Sequence, residues 1–80
     1  SIYTVIRNAS YILSRVSWHG LPETAVGEAG YRFRTGDMEG ASPLVTSLMR
    51  DLKSNMEMKD IKAALDIINN EMLEEIIEGA

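Results

Sequence analysis

The stretch ETAVGEAGYRFR, residues 23–34, decides which fold this chain is expected to adopt. Its two halves, ETAV and YRFR, are short alternating segments joined by GEAG, a pattern typical of a β-hairpin with a four-residue loop. Residues 20–41 around it contain five glycines, which break helices and permit tight turns. We therefore predict a glycine-rich β-hairpin over residues 20–41.

The two faces of the predicted hairpin differ in chemistry. Alternation along the second strand places Tyr31 and Phe33 on one face and Arg32 and Arg34 on the other. Because a two-stranded hairpin is marginally stable in water, the aromatic face must pack on the helices. The two arginines are then expected to face outward.

A helix is predicted over residues 2–18, before the hairpin. Apolar side chains recur there at spacings of three and four: Ile2, Val5, Ile6, Ala9, Ile12, Leu13 and Val16. Gly20 and Pro22 form a stop signal after it. Its β-branched content lowers helix propensity, so burial of the apolar stripe has to hold the helix together.

Two further helices are predicted in the C-terminal half. Ser42 followed by Pro43 is a typical helix start for residues 43–53. The buried side of that helix should be Leu44, Val45, Leu48, Met49 and Leu52. The sequence SNME matches a capping box with Ser54 as N-cap and begins a helix over residues 55–78. Two asparagines followed by glutamates leave open a break near residues 69–70.

These segments predict a mainly α fold. It is a small single-core bundle of three to four helices with a short β-hairpin inserted after helix one, and residues 1–80 form a single domain. Because the sequence opens with serine rather than methionine, we expect a domain excised from a larger protein.

Composition narrows the classes of function. The net charge is −4, and residues 41–80 carry all of the acidic excess, so direct binding of nucleic acid is not expected. Cysteine is absent, and no apolar run approaches the roughly 18–20 residues that cross a bilayer. We expect no membrane association and a cytoplasmic location.

Two short motif matches are interpreted as turns. LPETA, residues 21–25, resembles the sorting signal of sortase substrates, which an apolar segment and a basic tail normally follow, whereas a glycine-rich stretch follows here. RTGD, residues 34–37, resembles the core motif of adenylate-forming enzymes. Members of that family need several hundred residues, a phosphate-binding loop and a catalytic lysine, and this sequence shows none of these.

No catalytic, metal-binding or cofactor-binding set is predicted. The single histidine, His19, cannot build an imidazole metal site and is interpreted as a surface residue at a helix C-terminus. The glutamates of residues 71–78 are interpreted as a solvated face. We therefore expect no enzyme activity and no cofactor.

A set of arginines with the single tryptophan is the predicted partner-binding site. Tryptophan and arginine are over-represented among residues that dominate binding energy. The predicted set is Arg7, Arg15, Trp18, Arg32 and Arg34. Trp18 has a second interpretation, in which it seals the junction of helix one and the hairpin.

The predicted function is non-enzymatic protein binding to another, acidic protein. Apolar residues off the main stripes, Met49, Met56, Ile67 and Ile77, would suit a groove or a dimer surface. A narrower hypothesis is an adaptor such as the nucleoprotein-binding terminal domain of a viral polymerase cofactor. The alternatives are a homodimerisation or assembly-chaperone domain, which forms a homo-oligomer, and a small enzyme or enzyme inhibitor.

Overall fold

The computed structural model describes residues 1–68, and these residues form four α-helices without any β-strand. The helices are α1 (Ile2–Trp18), α2 (Ala25–Thr35), α3 (Pro43–Asn55) and α4 (Met58–Ile68). The predictions made for residues 69–80, namely the helix continuing to residue 78, the break near 69–70, the role of Ile77 and the acidic face, lie outside the described residues.

Helix α1 covers the range over which the apolar spacing predicts a helix. The Ser1 hydroxyl accepts a hydrogen bond from the backbone N–H of Thr4 and so caps the first turn. Ala9, Ile12 and Val16 are fully buried on the side that faces the other helices. Burial of this stripe compensates for the low helix propensity of its β-branched residues.

The prediction of a β-hairpin over residues 20–41 was wrong, because the central part of that stretch is helix α2. The buried residues of α2 are Ala25, Val26, Ala29, Gly30 and Phe33, and they recur at intervals of three and four. This spacing forms one apolar stripe on a helix, whereas on strands it would divide between two faces. Burying the stripe outweighs the cost of about 1 kcal/mol for each glycine inside a helix.

Helix α2 ends where glycine permits a backbone that other residues rarely adopt. Gly36 has φ 73° and lies at the C-cap, where its N–H donates to the carbonyl of Arg32. The expectation of a turn at this glycine therefore stands, but the turn ends a helix instead of a strand. Because residues 31 and 33 belong to a helix and not to a strand, Tyr31 and Phe33 do not share a face: Phe33 is buried and Tyr31 is exposed.

The start of the last helix also differs from its prediction. Ser42 caps α3 as expected, accepting from the N–H of Val45, but α3 continues through Asn55. The Ser54 hydroxyl donates to the carbonyl of Arg50 and so does not cap a new helix. Extended backbone at Met56 separates α3 from α4, which begins at Met58 instead of residue 55. Ser54 and Asn55 donate to the carbonyls of Arg50 and Asp51 one turn earlier, so both side chains belong to the end of α3.

One core holds the four helices together. Helix α4 packs mainly against α1 and α2, and α3 closes the remaining side. The largest fully buried side chains are Ile12, Leu48, Leu52, Ile61, Leu65, Val16 and Val45. Leu44, which was predicted to be buried, is exposed instead. Across the part of the chain that the structure describes, no helix is both long and apolar enough to cross a membrane.

Candidate functional site

The side of α1 opposite the core carries aromatic residues and arginines. At 100° per residue, the positions of this side fall within about 120° of one another and point away from the buried stripe. Besides Thr4 and Ser14, they are Tyr3, Arg7, Tyr11, Arg15 and Trp18, and we call these five residues the outer face of α1. An outward helix side of this kind usually carries charged and small polar residues, so three aromatic side chains here are unusual.

Trp18 is the most informative member of the outer face. It is 71% exposed, so the interpretation that it seals a junction in the core was wrong. Even so, two neighbours hold the ring: the guanidinium carbon of Arg15 lies 4.5 Å from the ring centroid, and His19 meets it edge-on with centroids 5.2 Å apart. Trp18 is thus a large apolar surface that is both accessible and braced.

Asp51 of α3 ties these two neighbours to the body of the bundle. Its Oδ2 accepts hydrogen bonds from Arg15 Nε at 2.7 Å and from His19 Nε2 at 2.8 Å. Since an ionised carboxylate only accepts, the His19 Nε2 must carry a proton. His19 lies at the C-cap of α1, as predicted, but the prediction that it is a surface residue was wrong, because its side chain is mostly buried in this contact.

The electrostatics of this contact favour the ionised carboxylate. The hydrogen bond from His19, with the hydrogen bond and positive charge of Arg15, holds the pKa of Asp51 below its ordinary value near 3.8, although burial opposes the shift. Asp51 is therefore charged at neutral pH and can hold both donors. Since Arg15 already compensates this charge, the geometry suits orienting His19 more than activating it as a base.

A groove lies beside the middle of the outer face. It has a volume of about 430 Å³ and is lined by Arg7, Asn8, Tyr11, Asn55 and Met56. Its lining contains one positive charge and no carboxylate, and it joins α1 to the end of α3. Tyr11 lies seven residues before Trp18, about 10 Å along the helix, so groove and tryptophan form two features of one surface.

The two arginines predicted on the hairpin have separate positions in α2. Arg34 is exposed. Arg32 is mostly buried, donates to the backbone carbonyls of Asp37 and Glu39, and lies near the carboxylate of Glu28. Arg32 therefore closes the loop after α2, and the structure does not bring it together with Arg15 and Trp18 through any contact among residues 1–68.

The apolar residues assigned to a groove or dimer surface are largely committed to the core. Met49 is buried, and Met56 and Ile67 are partly buried against the core cluster. Of these, Met56 still contributes to the groove beside the outer face.

Some members of this surface, Tyr3 among them, were missed in the sequence. Tyr3 and Tyr11 alternate with the predicted Arg7 and Arg15 at intervals of four, a signal that a helical wheel of α1 would have revealed. No such signal existed for Asp51, because 36 and 32 residues separate it from Arg15 and His19. Within residues 1–68 no group of three or more histidine, aspartate or glutamate side chains is placed to hold a metal ion.

Comparison with known proteins gave no relative. No protein-family model matches the chain, and no curated protein or solved structure matches it either.

Proposed function

We propose that this chain is a protein-binding domain that presents the outer face of α1 to an acidic segment of another protein. The observation that carries the proposal is Trp18, which is 71% exposed and yet braced by Arg15 and His19. When a partner covers an exposed aromatic ring, apolar surface is removed from water and binding is favoured. Tryptophan and arginine are among the residues that most often dominate binding energy.

The charge of α1 supports an acidic partner. The helix contains two arginines, Arg7 and Arg15, and no aspartate or glutamate; Arg15 is paired with Asp51 of α3, so Arg7 is the arginine that an acidic partner would meet. Arg7 lines the groove together with polar amides and the ring of Tyr11, a setting that suits a carboxylate beside an apolar side chain. The helix is about 25 Å long over its 17 residues, enough for a partner segment of several turns or an extended strand.

The same charge argues against pairing of two copies through this face. Two α1 helices placed side by side would bring the Arg7 side chains of both copies together, and α1 offers no carboxylate to separate them, since the only carboxylate that residues 1–68 pair with this face is the Asp51 already bound to Arg15. Like charges across an interface are unfavourable. The homodimerisation, assembly-chaperone and viral adaptor hypotheses stay predictions from the sequence.

A capture experiment with matched variants tests the proposal. The full chain is immobilised and exposed to extract of its native source as wild type, Trp18→Ala and Arg7→Glu. The matched controls are Tyr31→Ala and Arg34→Glu, which remove an exposed aromatic and reverse an exposed charge on α2. We expect a protein that wild type and both controls retain and that the two α1 variants lose.

Purified partner then gives the magnitude. Trp18→Ala should weaken binding by about 30-fold, the effect of a residue that dominates an interface, and Arg7→Glu should weaken it more at low salt than at high salt. A partner that binds Trp18→Ala and Arg7→Glu as tightly as wild type would contradict the proposal.

A further inference from the structure

The carboxylate of Asp51 contacts residues in both parts of the proposed binding surface, the outer face of α1 and the groove beside it. Through Oδ2 it accepts from Arg15 and His19, the two residues that hold Trp18. Through Oδ1 it accepts from Asn55 Nδ2 at 2.9 Å, and Asn55 lines the groove. One side chain of α3 therefore joins the tryptophan at the end of α1 to the groove at its middle.

The hydrogen bonds from Arg15 and His19 to Asp51, which we call the first arm, limit the motion of Trp18. An exposed tryptophan on a helix end can change rotamer freely unless neighbouring side chains restrict it. Here Arg15 lies over the ring and His19 meets its edge, and each of these two is itself fixed by a hydrogen bond to the same carboxylate oxygen. Removing the carboxylate would release both neighbours at once.

The hydrogen bond from Asn55 to the Asp51 carboxylate, which we call the second arm, orients the Asn55 side chain. Its Nδ2 donates both to the Asp51 carboxylate and to the Asp51 backbone carbonyl, each at 2.9 Å. With the amino group held twice, the amide plane is set within the lining of the groove. The side chain of Asn55 thus depends on the same residue as Trp18 although it lies on the other half of the surface.

We infer that Asp51 is the positioning residue of this surface, holding Trp18 in place through Arg15 and His19 and orienting Asn55 in the groove. The inference rests on the proposed function for its biological meaning. Asp51 does not need to touch the partner: it keeps two contact points in the arrangement that binding requires, which reduces the ordering cost of association.

The substitution Asp51→Asn tests the inference in the full chain. Asparagine has nearly the same shape but is uncharged and offers one acceptor oxygen in place of two, so it cannot hold both arms. The matched control is Asp66→Asn, which neutralises an exposed carboxylate on α4.

Two spectroscopic readouts follow the two arms. Trp18 is the single tryptophan, so time-resolved fluorescence anisotropy reports its local motion, and NMR of the Asn55 side-chain amide reports the groove. We expect Asp51→Asn to increase the amplitude of Trp18 motion and to shift the Asn55 amide resonances, with Asp66→Asn matching wild type in both. Unchanged Trp18 motion and unchanged Asn55 resonances in a folded Asp51→Asn protein would overturn the inference.

A second variant covers the case in which Asp51→Asn does not fold. Arg15→Met keeps the carboxylate and a side chain of similar length but has no donor, so it should loosen Trp18 and leave the Asn55 resonances in place. Equal Trp18 motion in wild type and Arg15→Met would overturn the first arm. Because both readouts use the chain without a partner, they can fail while α1 still binds, and they can succeed while the capture experiment fails.

Discussion

Two arginines beside aromatic rings, Arg15 with Trp18 on α1 and Arg32 with Tyr31 on α2, have similar composition and different roles. Arg15 lies over the ring of Trp18 and is anchored by a carboxylate from another helix. Arg32 lies 5.5 Å from the ring centroid of Tyr31 but directs its donors to the backbone carbonyls of its own loop. The first pair presents a surface, and the second closes a turn.

The difference shows that residue type alone does not identify a binding site. What separates the pairs is the partner of the guanidinium: a side chain 36 residues away for Arg15, and carbonyls five and seven residues away for Arg32. A local contact stabilises a loop, whereas a distant one fixes a surface residue against the bundle.

The largest effect on stability should come from Arg32. Arg32→Ala removes the donors to the carbonyls of Asp37 and Glu39 together with the packing of the side chain, and should lower the free energy of unfolding by about 1–2 kcal/mol. Urea denaturation measures it. Arg34→Ala, an exposed neighbour on the same helix, should change stability by less than about 0.5 kcal/mol. Equal effects of the two substitutions would show that the contacts of Arg32 do not stabilise the loop after α2.

Alanine substitutions at Gly27 in α2 and at Gly36, its C-cap, should change the free energy of unfolding in opposite directions. Gly27 lies inside the helix with nothing within 4 Å of an added Cβ, so Gly27→Ala should raise the free energy of unfolding by about 0.5–1 kcal/mol. Gly36 has φ 73°, so Gly36→Ala should lower it by about 1 kcal/mol. Thermal unfolding measures both, and a loss of stability in Gly27→Ala would contradict the helical assignment.

The contribution of Asp51 should depend on pH. Because its pKa is lowered in the folded chain, its ionised form stabilises the fold above the unfolded value near 3.8, and this contribution is lost as the pH falls through the lowered folded value. The difference in unfolding free energy between wild type and Asp51→Asn should therefore shrink between about pH 5 and pH 2. A difference that stays constant over this range would show that the carboxylate is not the source of the stabilisation.

The smallest effect should come from Trp18. Since the ring is exposed, Trp18→Ala should change the free energy of unfolding by less than about 0.5 kcal/mol, although the same variant is expected to weaken partner binding by about 30-fold. Chemical denaturation followed by circular dichroism measures it without the tryptophan signal. A large loss of stability would show that Trp18 stabilises the fold, contrary to the binding role proposed for it.

Prediction from the sequence succeeded where one periodicity was present and failed where two competed. Apolar residues of α1 recur at helical spacing without interruption, so its range followed directly. In residues 23–34 the alternation around GEAG suggested strands, while Ala25, Val26, Ala29 and Phe33 also form a helical stripe. The choice between them depended on whether α4 was present to cover that stripe, which no local pattern contains.

The same division applies to the proposed binding surface. Arg15 and Trp18 stand three residues apart, so their shared side follows from helix geometry once α1 is assigned. The exposure of Trp18 and the link from Asp51 to Arg15 and His19 were settled only when the helices packed. The physical reason is range: helical spacing and capping act within a few residues, whereas burial and a shared carboxylate require segments that folding brings together from more than thirty residues apart.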